Sequence, residues 1–154
     1  MSSGFTITTE GSEALAASTA ETVLMIVGAA NVTFRLVEFG ISFDGVTATA
    51  VPAVVELVSS TQATAGTNTG ATEKQIRGNP NHTPQCTGFH SYTAEPTVLT
   101  PIKELFVPQF MGLLVMQFPL GREFEQLTSA DGIGIRVTAS ATVNCRGWME
   151  WEEG

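Results

Sequence analysis

Short apolar segments separated by turn residues recur along this chain at intervals of roughly ten residues, the spacing of an all-β sandwich or barrel. Within Thr142–Glu152, Val143, Cys145, Met149 and Trp151 share one parity, while Asn144, Arg146, Trp148, Glu150 and Glu152 share the other. This is the period of a strand with one face in a core and one in solvent. Ile133–Thr138 alternates in the same sense, with Ile133, Ile135 and Val137 inward, so the two segments are expected to be neighbours in one sheet. Glu21–Ala30 holds a continuous apolar run of strand length, which suits burial on both faces. In Thr33–Phe43 the apolar parity changes: Phe34 and Leu36 share one, and Phe39, Ile41 and Phe43 share the other. An extra residue near Val37–Glu38 would turn both sets inward, so a β-bulge or a strand break is expected there.

Further strands are expected at Ala50–Ser59, Thr97–Val107 and Leu113–Phe118, with a short edge strand at Thr72–Arg77. Pro52 lacks an amide donor and belongs near a strand start or on an edge. Arg122–Leu127 sets Phe124 opposite Glu123 and Glu125, and Asp44-Gly45, Pro119–Gly121 and Ser129–Gly132 read as turns. Strands do not alternate with long amphipathic helices, which disfavours a parallel α/β fold. The expected fold is all-β: a single-domain β-sandwich or jelly-roll-like barrel of about eight antiparallel strands. Residues 1–20 are small and polar and are expected to form an N-terminal arm, with a short helix over Ser12–Ala20 as the alternative. The domain proper would span 21–154, with a long irregular loop at about 60–96. Such loops are usually functional, so the working surface is expected there.

Composition narrows the functional classes. With 14% charged residues, the chain is neither a charge-rich disordered protein nor a coiled coil. Its net charge is −8, and its seven Lys and Arg residues are scattered. A phosphate backbone or an anionic bilayer attracts clustered basic residues, so neither direct nucleic-acid binding nor membrane binding is expected. The apolar runs fall far short of the about 20 residues of a membrane-spanning helix. The start of the chain shows no basic segment followed by an apolar one, so no secretory leader is expected. Cys86 and Cys145 are expected to be buried or half-buried free thiols, with a single long-range bridge as the alternative.

The candidate chemistry is thin. His82, Cys86 and His90 are of zinc-ligand type, but Pro84 and Gly88 interrupt the helix on which that spacing would align them. A Cys86–histidine nucleophilic pair has no orienting acid or oxyanion hole marked beside it. Glu123 with Glu125, and Glu150 with Glu152, are carboxylate pairs on outward strand faces, where surface glutamates are commonplace. No catalytic, metal-binding or cofactor-binding residue is assigned, and no enzymatic activity is expected. Trp148 shares the outward parity with Arg146 and Glu150, where an aromatic ring can stack on a sugar, fill a neighbour's pocket or lie under a loop of its own chain.

The segments Ile41–Gln62 (ISFDGVTATAVPAVVELVSSTQ), Tyr92–Leu99 (YTAEPTVL), Pro119–Leu127 (PLGREFEQL) and Gly132–Glu153 resemble small virion proteins of tailed bacteriophages, the capsid decoration or cement proteins. The resemblance is one of pattern, without an active-site motif, and runs over the last three quarters of the chain. It implies a β-sandwich or β-barrel body on the outer capsid surface of a virion assembled in the host cytoplasm. It also implies a homotrimer that clamps adjacent subunits of the major capsid protein, without cofactor or catalysis. No contact residue transfers by motif. From the residues themselves, the expected capsid or intersubunit contacts are Phe5, Ile7 and Leu15 of the arm, Phe89 and Tyr92 of the loop, and Trp148, with Glu150–Glu153 as further candidates. The alternative is a lectin-like or host-attachment jelly-roll module, with Phe89, Tyr92 and Trp148 binding glycan.

Overall fold

The computed structural model of the chain describes residues 2–48, 51–62, 66–126 and 130–154. Among them are thirteen strands and no helix: β1 (Ser3–Thr8), β2 (Glu13–Leu15), β3 (Ala20–Val27), β4 (Phe34–Phe43), β5 (Ala53–Gln62), β6 (Thr67–Gly70), β7 (Lys74–Arg77), β8 (Thr87–Ala94), β9 (Thr97–Val107), β10 (Leu113–Gln117), β11 (Phe124–Gln126), β12 (Gly132–Thr138) and β13 (Val143–Glu153). They form two antiparallel sheets, so the fold is an all-β sandwich. One sheet runs β10-β4-β13-β1-β7, with β11 also on β4 and β2 also on β13; the other runs β6-β8-β3-β12-β5-β9. Of the expected features, Ala50, Leu127 and Ser129 lie outside the described residues, as do 63–65 of the expected loop.

The inward parity of β13 holds as read: Val143, Cys145, Met149 and Trp151 are buried, and their neighbours in sequence are not, apart from Gly147 and Glu153. The parity change in β4 is a bulge. Glu38 pairs with Glu150 and Leu36 with Trp151, leaving Val37 as the extra residue. Phe34, Leu36, Phe39, Ile41 and Phe43 consequently all face the core. β3 is buried from Thr22 to Val27, on both faces of its sheet. Strand β5 begins just after Pro52, and β7 is an edge strand.

Three expectations are overturned. β12 and β13 are not neighbours; they lie in opposite sheets, and their inward residues meet across the core. Identical alternation is equally served by two strands facing each other, since both have one dry face. Residues 60–96 are not an irregular loop, because they contain β6, β7 and β8. Residues 2–20 are not an arm, and Ser12–Ala20 is not a helix. β1 lies between β13 and β7, in register from Ser3 against Glu153 to Thr8 against Trp148. Phe5 and Ile7 alternate with Thr6 and Thr8, and the two apolar side chains sit in the core beside Trp151 and Met149.

One side of the sandwich is bounded by β9 of one sheet and β10 and β11 of the other. There Phe118 stacks edge-on against Phe124 at 5.2 Å, and Lys103 of β9 reaches over the Phe124 ring at 5.8 Å. Residues 108–112 carry the chain from one sheet to the other at this side.

Candidate interaction surfaces

The six expected contact residues fall in three places that do not meet. Phe5, Ile7 and Leu15 are fully buried between the sheets, so no partner reaches them in the folded chain. Phe89 and Tyr92 lie on the outer face of the second sheet, in a small cluster with Met25, Val27, Val58 and Leu99. This cluster forms because Gly134 of β12 leaves room for the Met25 thioether. Tyr92 is itself buried, and burial pushes its phenol up to about 12.

Trp148 lies on the outer face of the first sheet, in a row that runs Val115–Gly40–Trp148–Thr8 across four strands. The outer carbons of its indole occupy the place that a Gly40 Cβ would take, so only glycine there lets the ring lie down on the sheet. The indole N–H donates to Glu38 Oε1 at 3.2 Å, and Glu38 also accepts from the Gln117 amide. Glu150 sits directly across from Glu38. Desolvation, then the Glu38 charge, raises the Glu150 carboxyl above the ordinary carboxylate range. Beside the ring is a shallow cleft of about 420 Å³, lined by Thr8, Glu10, Ser42 and Arg146 among others.

The histidines and cysteines are dispersed. His82 packs on Phe5 with ring centroids 5.7 Å apart and places Nε2 3.6 Å from Glu153. His90 Nδ1 lies 2.7 Å from the Ser91 hydroxyl and 3.2 Å from Glu13, joining β8 to β2. Cys86 and Cys145 are free and buried, and desolvation pushes each thiol up to about 12, so neither is a nucleophile at neutral pH. Among the described residues no group of three His, Cys, Asp or Glu side chains is placed to hold a metal. The carboxylate pairs are occupied: Glu125 binds Arg35 at 2.7 Å, Glu152 binds Arg77, and Glu123 accepts from the Gly121 amide.

Several large apolar side chains are exposed where no site residue was expected. Phe106, Phe110, Met111, Leu113, Val115 and Leu120 are 76%, 47%, 74%, 64%, 47% and 90% exposed. They follow the chain from the end of β9, around residues 108–112, along β10 and into the turn after it. Exposed Val46 and Val51 lie near this corner. The Met111 amide donates to the Gly45 carbonyl at 3.1 Å. Gln109 is buried and staples the corner: its amide donates to the Val51 carbonyl at 3.2 Å and accepts from the Ala141 N–H at 3.3 Å. Phe106 pairs with Val54 on the outer face of the second sheet, whereas Leu113 and Val115 lie on the outer face of the first, with the 108–112 corner between them. Exposed apolar side chains gathered at such a corner mark a surface that meets another molecule. The sequence held a weak signal for it. Leu113–Phe118 is apolar on both parities, which suits a strand buried on both faces, yet this strand lies at a sheet edge.

Comparison with protein-family models, with curated proteins and with solved structures returns no match.

Proposed function

We propose that this protein is a structural virion component, a capsid decoration protein that binds the major capsid protein on the outer capsid surface and stabilises contacts between its subunits. The observation that carries the reading is the uncharged stretch 106–120, apolar apart from Gln109 and Gln117, whose Phe110, Met111, Leu113, Val115 and Leu120 are exposed around the 108–112 corner and along β10. A chain of net charge −8 with an uncharged apolar corner at 108–120 suits docking on a protein lattice rather than on nucleic acid. Repetition over many lattice positions would let modest individual contacts add up. The resemblance to phage decoration proteins supplies the identity of the lattice. The contact residues in this reading are Phe106, Phe110, Met111 and Leu113 in place of Phe5, Ile7 and Leu15. The test is co-sedimentation of the purified chain with expanded, DNA-free heads of the phage that encodes it. Saturable binding, lost in Phe106→Glu/Met111→Glu, supports the reading; absence of binding overturns it.

A second reading, a glycan-binding module of a virion, is favoured by one observation: Trp148 lies on Gly40 beside a polar cleft. Retention on a glycan array that disappears in Trp148→Ala would move the assignment to this reading.

A further inference from the structure

The edges of the two sheets are not alike. β7 carries Lys74 and Arg77, β2 carries Glu13, and β11 carries Glu125. β9 carries Pro101, Lys103 and a register shift, and β6 has a register shift between Thr67 and Thr69. Charges, proline and bulges are the devices that keep an edge from pairing with another chain. β10, with the sequence Leu-Leu-Val-Met-Gln, has none of them, and its register against β4 is unbroken. Among the described residues no strand lies on its outer side.

The hydrogen bonds show which peptide groups face that open side. The Phe43 amide donates to the Gly112 carbonyl at 3.0 Å, and the Phe118 amide donates to the Val37 carbonyl at 2.9 Å. In the register of this pair, residues 112 and 118 therefore belong to hydrogen-bonded pairs with β4, as do Leu114 and Met116 between them. Leu113, Val115 and Gln117 turn their N–H and C=O groups outward.

We propose that β10 pairs with β10 of a second copy of this chain, antiparallel about a twofold axis through Val115, joining two seven-stranded sheets into one. A twofold axis perpendicular to a sheet must pass through a pair of like-numbered residues, which is either a hydrogen-bonded or a non-hydrogen-bonded pair. Centring on Val115 engages all three outward residues of each copy. It sets Val115 against Val115, Leu113 against Gln117, and Leu114 against Met116 of the other copy. Three hydrogen-bonded pairs result, each exchanging two bonds. No charged side chain opposes another, which matters for two bodies that each carry a net charge of −8.

The same register brings the Leu120 turn of each copy to the Phe110–Met111 corner of the other. At roughly 150–200 Å² for a fully exposed large apolar side chain, the exposures of Phe110, Met111, Leu113, Val115 and Leu120 leave on the order of 500 Å² of apolar surface per copy. A standard interface buries about 800 Å² of all surface per partner, and the paired backbone supplies much of the rest. The pairing and the lattice contact draw on the same residues, Phe110, Met111 and Leu113, so the two compete for this corner, and light scattering on the isolated chain reads the pairing apart from the lattice contact. The pairing replaces the trimer that the resemblance implies by a contact that closes at two copies.

Light scattering on a size-exclusion column tests it. A single chain is 16.3 kDa, and the expected result is a mass that rises with concentration toward twice that value. Val115→Lys sets two like charges face to face and is expected to return the mass to one chain, with the far-UV spectrum unchanged and a melting temperature that no longer rises with concentration. Val115→Cys is expected to give an oxidant-dependent covalent dimer. Its Cα atoms would lie about 5.5 Å apart, within disulfide reach, and the native thiols are buried. A one-chain mass up to the solubility limit, a three-chain mass, or a dimer that ignores Val115→Lys and forms no cross-link in Val115→Cys would each overturn the pairing.

Discussion

Replacing Glu153 should cost this fold more than replacing any other acidic residue described above. Its side chain is 1% exposed, yet it is a carboxylate. Its Oε1 accepts from the Cys86 amide and from the Trp151 indole, each at 2.9 Å, and its Oε2 accepts from the Gln85 amide at 2.8 Å. One side chain of β13 thereby pins the segment leading into β8 and orients the largest side chain of the core. In Glu153→Ala the Gln85 amide can turn to water, but the Cys86 and Trp151 donors stay buried. Two buried donors without acceptors cost about 1–3 kcal/mol each, so a loss of about 3–4 kcal/mol is expected. That is a large part of the about 5–15 kcal/mol that holds a domain together. It corresponds to a melting temperature lower by about 6–16 °C for a chain of this size. Glu153→Gln keeps one acceptor oxygen and should lose about half as much. Urea titration is the assay, with the midpoint falling at unchanged slope. Hydrogen exchange should show the Cys86 amide losing protection. A loss below about 1 kcal/mol in Glu153→Ala would refute the reasoning, as would equal losses in the Ala and Gln variants, which would assign the effect to the charge that both remove and not to the acceptor oxygens.

Other consequences follow from the two faces. Gly40→Ala should lift the Trp148 ring off the sheet, at about 1–3 kcal/mol for the overpacking, with a red shift of its fluorescence. Glu150→Gln should stabilise the protein at pH 7 by about 0.5 kcal/mol, the scale of a like-charge pair set directly across two strands. Because the folded state raises the Glu150 pKa, the stability that its protonated form contributes is present at acid pH and lost as pH rises through that raised value. The gain from Glu150→Gln should therefore shrink as melts are run at falling pH and vanish below the ordinary glutamate value of 4.5. The thiols of Cys86 and Cys145 ionise near 12 in the fold against an ordinary 9.0, so their contribution is constant below 9.0 and is lost as pH climbs toward 12. Neither should react with a disulfide reagent until the protein unfolds.

The β-sandwich was legible where a strand has one dry face and apolar content high enough to mark it. β13 and the Val37 bulge in β4 are of this kind. β1 escaped because Ser-Gly-Phe-Thr-Ile-Thr carries only two large apolar residues and lies in a polar stretch; its strand character comes from β13 and β7 on either side. β8 escaped for the same reason, its Thr-Gly-Phe-His-Ser-Tyr-Thr-Ala being held by the apolar β3. Tertiary pairing overrides weak local propensity in such segments. The assignment of β12 and β13 to separate sheets was out of reach, because parity reports which face is dry and not which sheet owns it. The exposed apolar corner failed to register for a related reason. Hydrophobicity marks a surface to be covered, and whether the cover is the same chain or another is a property of the assembled topology.

The position of β13 bears on how the protein acquires its fold. Among the described strands it alone links β4 on one side to β1 on the other, and its partner in β1 is separated from it by nearly the whole chain. Translation at about 5–20 residues per second puts roughly 7–27 s between the emergence of Thr8 and that of Val143. Throughout that interval β1 has no strand to pair with on its β13 side, and Phe5 and Ile7 have no Trp151 or Met149 to pack against. The sheet containing β13 is therefore completed late, by contacts of very long sequence separation, which places refolding in the millisecond-to-second class of all-β proteins.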